Sequence, residues 1–200
     1  MAFTYFFRDK QTLDAAVDEL ARIAMGKQSI NIWDAGCAMG PEPFSLAILL
    51  AEKVGQYTFR NIKIMATDID GSDLFKDIIH QGIYPHEQVQ RIPEAILAKY
   101  FSQVTGRDEY VISDHIRSRI SFAKHDLLTF TPPATGFSLI VCKNVLLHFS
   151  YEQRIKVIEM FHQTLTPGGL LITEQTQKMP QELAGCFEQV LSNVQLFRKL

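Results

Sequence analysis

The stretch Ile30-Asn-Ile-Trp-Asp-Ala-Gly-Cys-Ala-Met-Gly-Pro-Glu-Pro-Phe44 decides how the rest of this chain is read. Ile30 to Ala35 is a short apolar run of the kind that forms a strand buried on both faces. Gly36 and Gly40 bracket a tight turn whose backbone can come close to a ligand. Pro41 and Pro43 sit where a first helical turn tolerates proline, and Phe44 to Val54 reads as an apolar helix ended by Gly55. Strand, glycine turn and helix in this order form the nucleotide-binding half of a doubly wound sheet. Taken alone the pattern also fits a merely tight connection.

Composition narrows the choice. At 200 residues the chain reads as one domain, 1–200, large enough for helices on both sides of a sheet. A hydrophobic share of 46% and a charged share of 21% are ordinary for a globular protein. The formal charge of -2 argues against a nucleic-acid or membrane-surface binder, which needs a basic excess. No apolar run reaches the length of a membrane span, and the N-terminus lacks the order of a signal peptide. Cys37, Cys142 and Cys186 are odd in number and far apart, as expected of reduced thiols in a cytoplasmic protein. The six histidines and three cysteines show no metal-ligand spacing, so no metal is expected.

Outward from the opening stretch, strands and helices alternate. Thr4-Tyr-Phe-Phe-Arg8 reads as an arm packed through Phe6 and Phe7, with Arg8 beside two apolar side chains and in want of an anion. Leu13, Ala16, Val17 and Leu20 give Thr12 to Ala24 a helical period. Asn61 to Thr67 is a second strand ending at Asp68, followed by a helix that Ser72 can cap and Gly82 stops. Residues 83–119 break the alternation and read as a small inserted subdomain, with a short helix at Pro93–Phe101 and strand or hairpin material around Tyr110–Ile116. Arg107, Arg117, Arg119 and Lys124 lie in or near it, either as a solvated face or as a docking surface. Ile120 to His125 is a third strand and Phe137 to Cys142 a fourth. Ser150 and Gln153 form a capping box for a helix that Pro167-Gly-Gly169 stops. Gly169 to Thr173 starts a fifth strand, Gln181 to Val190 reads as a last helix and Val194 to Lys199 as a closing strand. The expected fold is a three-layer α/β domain, mostly parallel, with helices on both faces.

In such a sheet the ligand lies across the carboxyl ends of the strands. Those ends carry Gly36 and Glu42, Asp68, Asp126 and Asn144. An acid at the tip of the second strand is the ribose ligand of nucleotide-binding folds, although Asp68 or Asp70 could simply cap the next helix. The turn lacks the Gly-Lys-Ser/Thr ending that cradles a triphosphate, and Glu42 would repel a pyrophosphate. Three carboxylates and an amide suit ribose hydroxyls, an exocyclic amine and an ammonium. S-adenosylmethionine carries all of these.

At this point the chain resembles the catalytic domain of the CheR-type chemotaxis receptor glutamate methyltransferases. The matching words are Thr4-Tyr-Phe-Phe-Arg8, Ala35-Gly-Cys-Ala-Met-Gly-Pro-Glu-Pro-Phe-Ser45, Ala66-Thr-Asp-Ile-Asp70, Gly82-Ile-Tyr84, Lys99-Tyr-Phe101, Cys142-Lys-Asn-Val-Leu-Leu-His-Phe149 and Leu165-Thr-Pro-Gly-Gly169. They run in the family's order from end to end, without the family's separate N-terminal helical domain. The resemblance implies a Rossmann-like S-adenosylmethionine-dependent methyltransferase with S-adenosylhomocysteine as product and a chemoreceptor-like acceptor protein. It implies cofactor contacts from Thr4, Gly36, Glu42, Asp68, Asp126, Leu127, Lys143 and Asn144, with Asp68 on the ribose and Glu42 facing the ammonium. Catalytic placement falls to Arg8, which would hold the acceptor carboxylate, and to His148.

The departures gather on the substrate side. The family's arginine before Asn144 is Lys143, its tyrosine near the methyl group is His148, and its asparagine is Asp126. Its Gly-Glu-Glu-Pro becomes Gly40-Pro-Glu-Pro43, and its Gly-His-Ser-Glu becomes Thr173-Glu-Gln-Thr176. Two readings fit His148, an ordinary residue at a helix entrance or a donor to substrate. Two rival functions stay open. One is methylation of a small molecule or another acceptor, the other a non-catalytic module that binds S-adenosylmethionine or its product.

Overall fold

The computed structural model describes residues 4–176 and 178–200. Its centre is β1 (Ile30–Ala35), whose residues are buried except for Asn31. On one side β1 pairs in parallel with β2 (Ile62–Asp68), and on the other with β7 (Phe137–Cys142). Beyond β2 lies β6 (Ile120–Lys124), and beyond β7 come β8 (Leu165–Thr173), β10 (Leu196–Lys199) and β9 (Phe187–Gln189). The order is β6-β2-β1-β7-β8-β10-β9, parallel from β6 to β8 and antiparallel from β8 through β10 to β9. Strand order reverses between β1 and β7, so the ligand crevice of a doubly wound sheet falls at their carboxyl ends.

Two helical layers cover the sheet. On one face Ile30, Ile32, Ile64, Val141 and Ile172 pack with α1 (Lys10–Ala24) and α2 (Pro41–Phe59). On the other, Trp33, Ile140 and Leu171 pack with α7 (Tyr151–Thr164), which starts on the capping box of Ser150 and Gln153. The alternation along β1 sends even-numbered residues to the first face and odd-numbered ones to the second. Helix α2 kinks at Gly55 (φ 73°) and adds one further turn.

Between α3 (Phe75–Gln81) and β6 the chain leaves this sheet and builds a second one. Here β3 (Ile83–Pro85), β4 (Phe101–Gln103) and β5 (Glu109–Ile112) pair antiparallel in the order β3-β5-β4, accompanied by three short helices: α4 (His86–Val89), α5 (Glu94–Tyr100) and α6 (Asp114–Arg117). Tyr84 of β3 joins the two sheets. Its hydroxyl donates to the Met39 carbonyl at 2.7 Å, and its ring meets Phe6 and Phe44 edge-on. Phe6 is buried in the larger core, so the N-terminal arm packs as its aromatic residues imply.

Four local expectations are corrected. Ser72 does not cap α3 but donates to Asp70, which takes the capping role also read for it and accepts from the Leu74 and Phe75 amides. The polar residues after Tyr110 open α6, and the hairpin turn lies before them, between β4 and β5. Pro167-Gly-Gly169 does not stop α7, which ends at Thr164; it forms an irregular step inside β8, where the register with β7 shifts. Gln181–Val190 is one 3-10 turn (Gln181–Leu183) followed by β9. Leu183 and Phe187 both reach the core in that arrangement, Gly185 avoids a helix interior, and β9 covers the open edge of β10.

The four basic residues near the insertion are tied locally. Arg107 pairs with Glu109, Arg117 with Asp114, and Lys124 with Asp73, while Arg119 donates to the Arg60 carbonyl. No helix among the described residues is long and apolar enough to cross a membrane.

Candidate functional site

The turn after β1 is built by its own backbone. The amides of Gly36 and Cys37 both donate to the Thr67 carbonyl, at 2.7 and 3.0 Å, which pins the turn to the end of β2. Gly36 and Gly40 adopt φ of 98° and 102°. A Cβ on Gly36 would stand 2.2 Å from Val145 Cγ2, and one on Gly40 2.7 Å from the Tyr84 hydroxyl, so neither position has room for a side chain. Asp68 closes the turn from the other side. Its Oδ2 accepts from the Ala38 amide and its Oδ1 from the Asp70 amide, both at 3.0 Å, which leaves further lone pairs for a ligand.

Glu42 lies in the first turn of α2, where the helix dipole favours a negative charge. Burial pushes its carboxyl above its ordinary value, against the pull of Lys143. The Lys143 ammonium reaches Glu42 Oε2 at 3.1 Å, Asp9 Oδ2 at 3.3 Å and the Arg8 carbonyl at 3.1 Å, with only 1% of its side chain exposed. The arm has a second anchor in the Phe7 amide, which donates to Ser45 Oγ at 2.8 Å.

Below this cluster sits Asp34 of β1, fully buried, with neither oxygen hydrogen-bonded. Its neighbours in register are Ala66 on β2 and Val141 on β7. Asp68 and Lys143, two residues further along, therefore project from the same face. Burial first, then the negative charge of Glu42, drives the Asp34 carboxyl well above the usual carboxylate range, and Lys143 opposes the shift only in part. Burial likewise raises the Cys37 thiol, so this cysteine is no thiolate nucleophile.

The loop after β7 forms the opposite wall. Asn144 takes the left-handed conformation (φ 61°), and Glu174 at the tip of β8 accepts from the amides of Asn144 and Leu147 at 3.2 and 3.1 Å. A buried carboxylate thus fixes the loop that carries Leu147 and His148 outward, both exposed.

These walls enclose a cavity of about 440 Å³. Of the residues expected there from sequence, Thr4, Arg8, Gly36, Glu42, Asp68, Lys143, Asn144 and His148 line it. Asp126 and Leu127 do not. They follow β6, the edge strand, with β2 between them and β1. Asp126 turns its Oδ1 to the Leu128 amide at 2.8 Å as a local cap, and Leu127 is buried in the core. Cys37, Ala38, Val145 and Leu147 also line the cavity and were not read from sequence, nor was Asp34 beneath it. The only available signal for Asp34 was its charge inside an apolar strand.

The donor set fits an adenosyl amino acid: acids where hydroxyls and an ammonium would lie, and a glycine turn with no side chain to obstruct it. Fold and site together define a Rossmann-like domain with a polar crevice at the carboxyl ends of β1 and β7. The chain belongs to the family described as "CheR methyltransferase, SAM binding domain", which matches residues 2–195. It is 32% identical over 182 residues to the chemotaxis protein methyltransferase 2 of Vibrio cholerae, covering 88% of this chain and 62% of that protein. To the chemotaxis protein methyltransferase of Listeria monocytogenes it is 34% identical, covering 83% and 61%. The chain thus spans about three fifths of the length of these relatives. Among solved structures, the N-methyltransferase NodS from Bradyrhizobium japonicum, in complex with S-adenosylhomocysteine, aligns with 84% of this chain and 62% of that one, at 19% identity and a TM-score of 0.43.

Proposed function

We propose that this chain is the catalytic part of an S-adenosylmethionine-dependent methyltransferase that converts glutamate carboxylates of chemoreceptor-like proteins in the cytoplasm to methyl esters. One observation carries the reading. Glu42 and Asp68, the acids suited to the two polar ends of the cofactor, and Arg8, the cation suited to an acceptor carboxylate, line the same cavity. When bound, S-adenosylmethionine supplies an electrophilic methyl group on a sulfonium. Asp68 would accept from the ribose hydroxyls, Glu42 from the ammonium, and Asp126 and Leu127 at the end of β6 would meet the adenine.

The protein's share of the chemistry is placement. A glutamate side chain is already ionised at pH 7, so its oxygen attacks without a general base. This agrees with a cavity whose lining thiol, Cys37, is held protonated. Arg8 can grip one carboxylate by a charge-assisted fork and so direct its oxygen. Holding the reactants in line can contribute up to roughly 7–11 kcal/mol to lowering the barrier.

Transfer of a tritiated methyl group from the cofactor to receptor glutamates tests the proposal. Base-labile label is the expected result; alkali-stable label would redirect the reading to another acceptor. The exposed His148 at the cavity wall, where the family has tyrosine, favours that second reading. Cofactor binding with no methylated acceptor in a receptor-containing extract would support a sensing module instead.

A further inference from the structure

Lys143 is a buried cation in contact with both Glu42 and the arm. An ammonium has three protons, and three oxygens lie within 3.3 Å of Nζ: the Arg8 carbonyl, Asp9 Oδ2 and Glu42 Oε2. With 1% of its side chain exposed, such a charge is tolerated only where partners replace the lost water. The contacts with Arg8 and Asp9 fall where the arm is most unusual. Phe7 and Asp9 have φ of 58° and 52°; aspartate tolerates such left-handed values, but a bulky aromatic holds one only when its surroundings impose it. Ser45 fixes Phe7 from α2, and Lys143 fixes the next two residues from the loop after β7.

We propose that Lys143 is a positioning residue that couples the ammonium-binding carboxylate, Glu42, to the seating of the arm that carries Arg8. It takes Oε2 of Glu42 and leaves the other oxygen for the cofactor, so a ligand ammonium at Glu42 orders both ends of the clamp. A lysine suits the task because its point charge meets oxygens from three directions. The planar fork of an arginine matches a single carboxylate, so Lys143→Arg is not a conservative exchange here. The inference rests on the reading of the cavity as the S-adenosylmethionine site.

The test compares two ligands. S-adenosylhomocysteine reaches Glu42 through its ammonium; 5′-methylthioadenosine lacks the amino-acid part. Calorimetry is paired with trypsin cleavage after Arg8 and Lys10, with and without each ligand. In the wild type, S-adenosylhomocysteine should slow cleavage of the arm and 5′-methylthioadenosine should not. Lys143→Met should abolish that protection and weaken S-adenosylhomocysteine about tenfold or more, the loss of one charge-assisted contact, while 5′-methylthioadenosine binding stays nearly unchanged. Should Lys143→Met not fold, the Asp9→Asn variant, which cuts only the arm end of the clamp, must reduce the same protection. Protection that persists in the folded variant, or equal loss of both ligands, overturns the clamp. A wild type that binds neither ligand overturns the cofactor reading itself.

Discussion

Trp33 and Asp34 are neighbours on one strand, both fully buried, and they illustrate two uses of an interior. Trp33 faces α7, packs edge-on against Phe161 and beside Phe137, and donates its indole N–H to Thr67 Oγ1 at 2.8 Å. Every polar need on that side chain is met. Asp34 faces the other way, beneath Glu42 and Lys143, and neither of its oxygens is hydrogen-bonded. Both faces of the sheet are closely packed along most of their length. They differ at the strand end nearest the site, where the face of Asp34 holds charge beside a cavity.

The largest expected effect lies on the packed face. Trp33→Ala should cost about 3–5 kcal/mol, read from chemical denaturation, because it removes a large side chain that its neighbours cannot replace. A loss under about 1 kcal/mol would mean the two faces are alike in tolerance. On the polar side, Arg8→Ala should lower turnover about a hundredfold through lost alignment, with cofactor affinity little changed. Equal loss of both would contradict the role assigned to Arg8.

Asp34→Asn sharpens the contrast through its pH dependence. The folded carboxyl titrates well above its unfolded value. Between those two values the native state keeps a proton that the unfolded state has released. The contribution of Asp34 is therefore complete below the ordinary carboxylate range and is lost as pH rises through the raised value. The amide does not ionise, so the variant should gain on the wild type in thermal melts as pH rises above the ordinary carboxylate range. A difference that is flat with pH would show that Asp34 has a partner in solution. The smallest effect is on the packed face: Ser150→Ala removes one arm of the capping box and should cost about 1 kcal/mol in the same melts, independent of cofactor.

Legibility followed locality. β1, its glycine turn, the proline-led start of α2 and the capping box of α7 each carry their signal within a few residues, and all were readable. So were eight of the ten expected site residues as lining of one cavity, because residues at parallel strand ends converge by construction. Asp126 lies outside that cavity for a physical reason. Its place after a strand was right, but the strand is at the sheet edge and the side chain caps its own turn. The segment 181–190 has helical spacing at Leu183 and Phe187, yet the open edge of β10 offered it backbone partners instead.

The sequence by itself determined the alternation of strands and helices, the glycine turn and the acids at the strand ends, since all of these follow from side-chain period and local backbone preference. Tertiary structure alone decided that Asp34 would lack a partner, that Lys143 would tie Glu42 to residues 8 and 9, and that Glu174 would hold the Asn144 loop. Whether a buried charge is satisfied depends on which strands and arms end up beside it. Those contacts join residues as many as 135 positions apart, and no local pattern records them.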